Sequence, residues 1–289
     1  MFYIRADANK QIATGHIMRC LSIALELKKR NIDTTFITAD HQADELILTR
    51  GFQTICLDSE WNNLLSEIDK MEVLIKEKSM DRLLVDSYFV TNEYLEVLSK
   101  KTKIIYIDDL GELSYPVNKI INYNIYGKEI DYHKLVRNNE VKLVLGTEYT
   151  PLREEFQNIT PIFRKEVKSI FISTGGTDNY NIAGAILEKI AQKEEYKNIN
   201  FHVISGKMNV NFPKLMKLAE QNTNIFIHSN VQRMSEIMCQ CDIAISGCGS
   251  TMYELCCCGL PIITFSFADN QKLAVKAFEK AGAIPLYFS

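Results

Sequence analysis

His16 is one of only five histidines in the chain, and it follows Gly15 where a short apolar segment, Phe2-Tyr3-Ile4, gives way to a long amphipathic pattern. Apolar residues at Ile17, Met18, Leu21, Ile23, Ala24, Leu25 and Leu27, closing on Lys28-Lys29-Arg30, predict a helix over 16–30 that begins at the histidine. The partial positive charge of a helix N-terminus disfavours an imidazolium, so His16 is expected to stay neutral and able to accept a proton. The alternative is a histidine that satisfies loose backbone groups at a helix start. Asp7, Asp86-Ser87-Tyr88 and Asp108-Asp109 each follow a predicted strand of the same half. Taken singly, these aspartates can be helix or turn caps and Tyr88 half-buried packing. Together they mark one edge of a sheet, where open α/β folds bind ligands.

The second half carries a different chemistry. Gly175-Gly176-Thr177-Asp178 and Ser246-Gly247-Cys248-Gly249-Ser250-Thr251 are small-residue loops between a predicted strand and a helix. Such loops can turn backbone N–H groups towards a phosphate. Met252 stands where a dinucleotide fingerprint has its third glycine, and neither loop has the GK[ST] ending of a Walker A motif. Glu254, four residues beyond Ser250, is one turn along the same helix face, from which its carboxylate could hold the vicinal hydroxyls of a ribose. The alternative is an ordinary exposed helix glutamate. Asn270-Gln271 open a later helix, where amides can bond sugar hydroxyls or cap the helix.

The elements that must position these groups alternate along the chain. Strands are predicted at 2–6, 33–38, 53–57, 81–86 and 103–107, with helices at 16–30, 41–50, 62–78 and 91–100 between them, and short strands near 119–121 and 142–145. Runs such as Arg82-Leu83-Leu84-Val85 are continuously apolar rather than alternating, as expected for parallel strands covered on both faces. After a Pro- and charge-rich stretch a second alternation follows: strands at 168–173, 199–204, 224–228, 242–245 and 261–265, with helices at 180–193, 212–222, 231–240, 250–258 and 269–281. The reading is two Rossmann-like domains facing each other across a cleft, residues 1–150 and 168–289, joined by a linker at 151–167.

Composition limits the partners. With 33 basic and 36 acidic residues and a net charge of -3, no basic stripe suggests nucleic acid. The first residues lack a secretory signal pattern, and no apolar run approaches the roughly 18 to 20 residues of a membrane span, so a cytoplasmic location without membrane insertion is expected. Six of the eight cysteines (Cys239, Cys241, Cys248, Cys256, Cys257, Cys258) crowd one region without CxxC spacing. They read as reduced packing thiols rather than a zinc site. Oligomeric state is left open.

The ordered set Arg5-Ala6-Asp7, Gly15-His16-Ile17-Met18-Arg19, Asp86-Ser87-Tyr88, Asp108-Asp109, Asn122-Tyr123-Asn124, Arg153-Glu154-Glu155-Phe156, Gly175 to Asp178, Ser250 to Glu254 and Asn270-Gln271 resembles the UDP-sugar hydrolases of pseudaminic acid biosynthesis. That family includes proteins described as spore-coat polysaccharide biosynthesis proteins and shares the GT-B architecture of the lipid II N-acetylglucosaminyltransferase. The resemblance implies hydrolysis of UDP-2,4-diacetamido-2,4,6-trideoxy-β-L-altropyranose to UDP and free sugar, with no metal and no cofactor. It implies His16 as general base, Tyr88 and Asn270 in the sugar site and Glu254 on the ribose. Asp7, Gly15, Asp108 and Gln271 are taken as further substrate-binding residues, and Gly175, Gly176, Gly249, Ser250 and Thr251 as diphosphate contacts. Gly247-Cys248-Gly249 and Cys256-Cys257-Cys258 depart from the family pattern.

The chemistry needs little apparatus. A glycosidase must protonate a poor leaving group, whereas a terminal phosphate, with a second pKa of roughly 6, departs as an anion. What remains is removal of a proton from the attacking water, worth roughly 10²- to 10⁴-fold. Attack opposite the UDP inverts the anomeric centre, with His16 oriented by Asp7 or a backbone carbonyl. A glycosyltransferase using a UDP-sugar donor and a non-catalytic nucleotide-sugar-binding protein are the alternatives.

Overall fold

The computed structural model describes residues 1–288 apart from 138–139, 191–192, 207–208, 267–270 and 284–285. The chain divides into two compact units, Met1–Pro151 and Leu152–Ser289. The boundary falls at the start of the expected linker, and residues 152–167 group with the second unit.

The first unit begins with β1 (Phe2–Ala6), α1 (Gly15–Lys29), β2 (Thr34–Thr38), α2 (Asp44–Leu48) and β3 (Gln53–Cys56). It continues through α3 (Ile68–Glu77), β4 (Arg82–Asp86), α4 (Asn92–Ser99), β5 (Lys103–Ile107), β6 (Lys119–Asn122) and β7 (Lys142–Leu145). The strands form one seven-stranded sheet in the order β3-β2-β1-β4-β5-β6-β7, every neighbour parallel. The chain grows outward in one direction from β1 to β3, then returns beside β1 with β4. The order therefore reverses between β1 and β4, which opens a crevice at their carboxyl ends.

Helix α1 shows how the sequence builds an element around that crevice. Ile17, Cys20, Leu21 and Ala24 are buried on one face, each such apolar side chain of Leu or Ile size contributing about 1.5–3 kcal/mol. The helix stops where Asn31 adopts φ +59, with Asn31 N–H donating to Lys28 O and Ile32 N–H to Leu27 O, the paired bonds of a Schellman cap. The core on the α3 and α4 side gathers Leu83, Val85, Tyr94, Leu95, Leu98, Ile104 and Tyr115.

The second unit runs β8 (Ser169–Ser173), α5 (Ile182–Ile190), β9 (Asn200–Ser205), α6 (Phe212–Gln221) and β10 (Ile225–Ser229). Then come α7 (Met234–Met238), β11 (Ile243–Gly247), α8 (Thr251–Cys257), β12 (Ile262–Phe265), α9 (Lys272–Lys280) and β13 (Leu286–Phe288). Its sheet order is β10-β9-β8-β11-β12-β13, again wholly parallel, with the reversal between β8 and β11. Ile172, Ala183, Leu187, Phe201, Val203 and Leu215 form a separate core. Among the described residues no helix is long and apolar enough to cross a membrane.

Candidate active site

The sheet reversal of the first unit brings the end of β4 beside the start of α1. His16 Nδ1 lies 2.6 Å from Asp86 Oδ1, with both residues buried. A carboxylate can only accept, so Nδ1 is the donor of this contact, and in a neutral ring the lone pair then sits on Nε2. The orienting partner of His16 is thus Asp86. Asp7, the expected partner, is committed elsewhere: its Oδ2 accepts from Arg5 Nη1 at 2.5 Å and its Oδ1 from Ala39 N at 2.7 Å. There it ties the end of β1 to the end of β2.

Asp86 is itself held by a charge cluster. Arg19 donates from Nε to Asp86 Oδ2 (2.7 Å) and from Nη2 to Asp86 Oδ1 (2.5 Å). The same guanidinium reaches Asp109 with Nη1 (3.1 Å) and Nη2 (2.8 Å) and Tyr123 Oη with Nη1 (2.8 Å). Burial alone would push the Asp86 carboxyl up, but Arg19 and then His16 more than reverse it, holding the group well below the usual carboxylate range. Asp86 therefore stays ionised, fixes the tautomer of His16 and would stabilise an imidazolium formed during reaction. Asn124 Nδ2 donates to Asp109 Oδ1 at 2.8 Å, completing the network.

Tyr88 stands against His16. Its ring lies edge-on to the imidazole, centroids 4.4 Å apart, and the residue is 40% exposed. The loop before α1 is held by Asn9, whose Oδ1 accepts from Gln11 N and Ile12 N, and it passes through Ala13 in the left-handed region at φ +56. Gly15 opens the helix directly after it. Asp108 is turned into its own loop: it accepts from Leu110 N, Gly111 N and Tyr132 Oη. Arg5 forms a second buried knot, forked onto Glu67 at 2.7 Å for both bonds, while Tyr94 Oη donates to the same carboxylate.

In the second unit, the loops after β8 and β11 sit at the reversal of the sheet. Gly175 has φ +89, open to glycine at no steric cost, and a β-carbon on Gly206 would lie 2.2 Å from Gly176 O. Asp178 caps α5, accepting from Ile182 N and Ala183 N. Gly249, Ser250 and Thr251 lead into α8, where Ser250 is the N-cap residue without a side-chain capping bond. Glu254, on the same helix, receives a forked pair from Arg153, which the resemblance motif contained and to which sequence reasoning gave no task. Gln271 immediately precedes α9, and Asn270 lies outside the described residues.

Among the described residues one group could hold a metal ion: His41, Cys56 and Asp58 offer ligand atoms within 4.8 Å of one another, at the ends of β2 and β3. It shares no residue with the His16 cluster. All eight cysteines are free thiols.

Comparison with known proteins accords with this arrangement. The glycosyltransferase family 28 C-terminal domain matches residues 169–288. The chain is 26% identical over 281 residues to the UDP-2,4-diacetamido-2,4,6-trideoxy-beta-L-altropyranose hydrolase of Campylobacter jejuni, covering 96% of each. It is 24% identical over 288 residues to the spore coat polysaccharide biosynthesis protein SpsG of Bacillus subtilis, covering 97% of this chain and 81% of that one. An uncharacterized protein of Methanocaldococcus jannaschii is 30% identical over 93% of this chain, which spans 56% of that relative's length. The crystal structure of MurG from Acinetobacter baumannii superposes with a TM-score of 0.64 at 11% identity, over 98% of this chain and 85% of that one. The two parallel-sheet units are those of a GT-B fold, and over nearly its whole length the chain is similar to the spore-coat polysaccharide protein and to the UDP-sugar hydrolase.

Proposed function

We propose that this chain is a UDP-sugar hydrolase that cleaves a UDP-linked diacetamido-trideoxy sugar, UDP-2,4-diacetamido-2,4,6-trideoxy-β-L-altropyranose, to UDP and free sugar. The observation that carries the reading is the buried His16–Asp86 pair at the β1/β4 reversal, with Nε2 left as proton acceptor. His16 takes a proton from water as the oxygen attacks the anomeric carbon. The anomeric bond to the diphosphate breaks with its electrons leaving on UDP, and the centre inverts. Asp86 positions the imidazole and compensates its charge. Tyr88, against the ring, is the sugar-side wall, with Gly15, Asn270 and Gln271 as further sugar contacts, Asp7 holding the loop at the end of β1 and Asp108, expected on the sugar, holding the loop after β5. In the second unit Gly175, Gly176, Gly249, Ser250 and Thr251 receive the diphosphate through backbone and hydroxyl donors, and Glu254 the ribose.

The diphosphate leaves without protonation, so the reaction runs without a metal or other cofactor. The enzyme acts in the cytoplasm and has no nucleic-acid partner, in keeping with its eight free thiols and its net charge of -3.

The deciding experiment follows the UDP-sugar by proton and phosphorus NMR with the protein, in EDTA and without any acceptor. Release of UDP and inverted free sugar is expected. Replacing His16 with Asn should lower kcat by roughly 10²- to 10⁴-fold while UDP binding persists. Retained configuration, a requirement for an acceptor, or full turnover by His16→Asn would each overturn the reading.

A further inference from the structure

Arg153 has no part in the reaction as described, yet its surroundings are specific. Nε donates to Glu254 Oε1 at 2.7 Å and Nη2 to Glu254 Oε2 at 2.8 Å, while Nη1 lies 3.1 Å from Glu155 Oε1. Its Cζ stands 5.0 Å from the centroid of the buried Phe156 ring. Glu155 is anchored in turn, its Oε2 accepting from Ser235 N (3.1 Å) and Ser235 Oγ (2.7 Å) in α7. The guanidinium is thus held by Glu155 and Phe156 before it meets Glu254.

A glutamate on a short helix otherwise rotates about its side-chain bonds and presents its oxygens in many planes. A forked pair sets that plane, since both oxygens must face the two parallel N–H groups. It uses one lone pair of each oxygen and leaves the other on each free to accept. Two acceptors held in one plane and a carboxylate's width apart suit two adjacent hydroxyls.

We propose that Arg153 is the positioning residue for Glu254, holding its carboxylate so that both oxygens accept from the cis-diol of a nucleotide ribose. The inference rests on the reading of the second unit as a nucleotide site. It assigns a task to the 152–157 segment, which sequence reasoning takes as linker: the segment carries the support for the ribose contact, within the unit that holds the loops.

The test compares UDP with 2′-deoxy-UDP by titration calorimetry, using the full chain as wild type, Arg153→Gln and Arg153→Lys. The wild type is expected to prefer the ribonucleotide by about 10-fold or more, the usual consequence of losing a hydrogen bond to a charged group. Arg153→Gln should lose most of that preference, chiefly by weakening UDP, and Arg153→Lys should recover part of it, because an ammonium restores the charge without the fork. In turnover, Arg153→Gln should raise KM with kcat held within about twofold, as for an interaction equal in ground and transition states. An undiminished ribose preference in Arg153→Gln, or an equal loss of affinity for both nucleotides, overturns the inference while leaving the nucleotide site standing. Failure of the wild type to bind UDP overturns the nucleotide reading, and this inference with it. If Arg153→Gln does not fold, the preference measured in Arg153→Lys decides by the same criteria.

Discussion

A β-carbon placed on Gly15 or on Gly249 would meet no protein atom within 4 Å, and neither residue has a positive φ. Neither backbone strain nor packing therefore calls for glycine at these two positions, one at the first residue of α1 and the other just before α8. In the proposed function the reason is close approach of the ligand to the backbone. Gly15→Ala is accordingly expected to stabilise the fold by about 0.5–1 kcal/mol, as alanine does in a helix, measured by urea denaturation. The same change should lower kcat/KM by roughly 10- to 100-fold through displacement of the sugar from His16. Unchanged turnover in a stabilised variant would mean that nothing approaches there. Arg19 illustrates a different residue-scale rule. It lies three positions beyond His16 on the helix and shares the buried face, where an arginine demands partners. Its place among Ile17, Cys20 and Leu21 is the signal that points to a buried ion cluster.

The strands and helices of both halves were legible because each carries its own period. The parallel strands show as apolar runs such as Lys103–Ile107, and α1 shows its stripe and its cationic last turn. Elements with less local signal were misread or missed. The helix expected at 41–50 is a 3₁₀ turn over His41–Ala43 continuing into α2, and the expected 231–240 helix spans only Met234–Met238. β13, three residues long, was not anticipated at all. The His16 site was half legible: a helix start marks the histidine, but its partner lies 70 residues away and only the β1/β4 pairing brings them together. A further pair meets diagonally across the β9/β10 register, where His202 is opposite Phe226 and His228 opposite Ile204. His202 on β9 and His228 on β10 stack with centroids 5.3 Å apart and Nδ1 to Nε2 at 3.1 Å. Burial lowers the pKa of both, and His228 lowers that of His202 further. The unfolded chain, whose imidazoles titrate near roughly 6.5, then binds protons before the folded pair does, so acid favours unfolding. Stability of the second unit should be complete above about pH 7 and fall as pH drops through about 6.5. His228→Phe should flatten that slope in denaturation curves recorded across the range, and an unaltered slope would assign it to other groups.

Each unit has its own hydrophobic core, and the boundary between them falls at Pro151. Units of about this size fold as separate cooperative blocks, so calorimetry should resolve two transitions. UDP binds the second unit in the proposed function. At 100 times its Kd it should raise the stability of that block by about 2.7 kcal/mol and leave the other in place. A shift of both transitions together would show that the blocks melt as one. The strand orders have a longer-term consequence. Both sheets reverse at the same point in their winding, and the residues given tasks in the proposed function lie at those reversals: the His16–Asp86 pair in one, the small-residue loops in the other. Under the proposed function, a substitution in the first unit's loops disturbs one core and one reversal only, so sugar preference can drift through neutral steps while the grip on the nucleotide is inherited intact. Descendants of such a chain would be expected to diversify fastest in the loops after β1, β4 and β5.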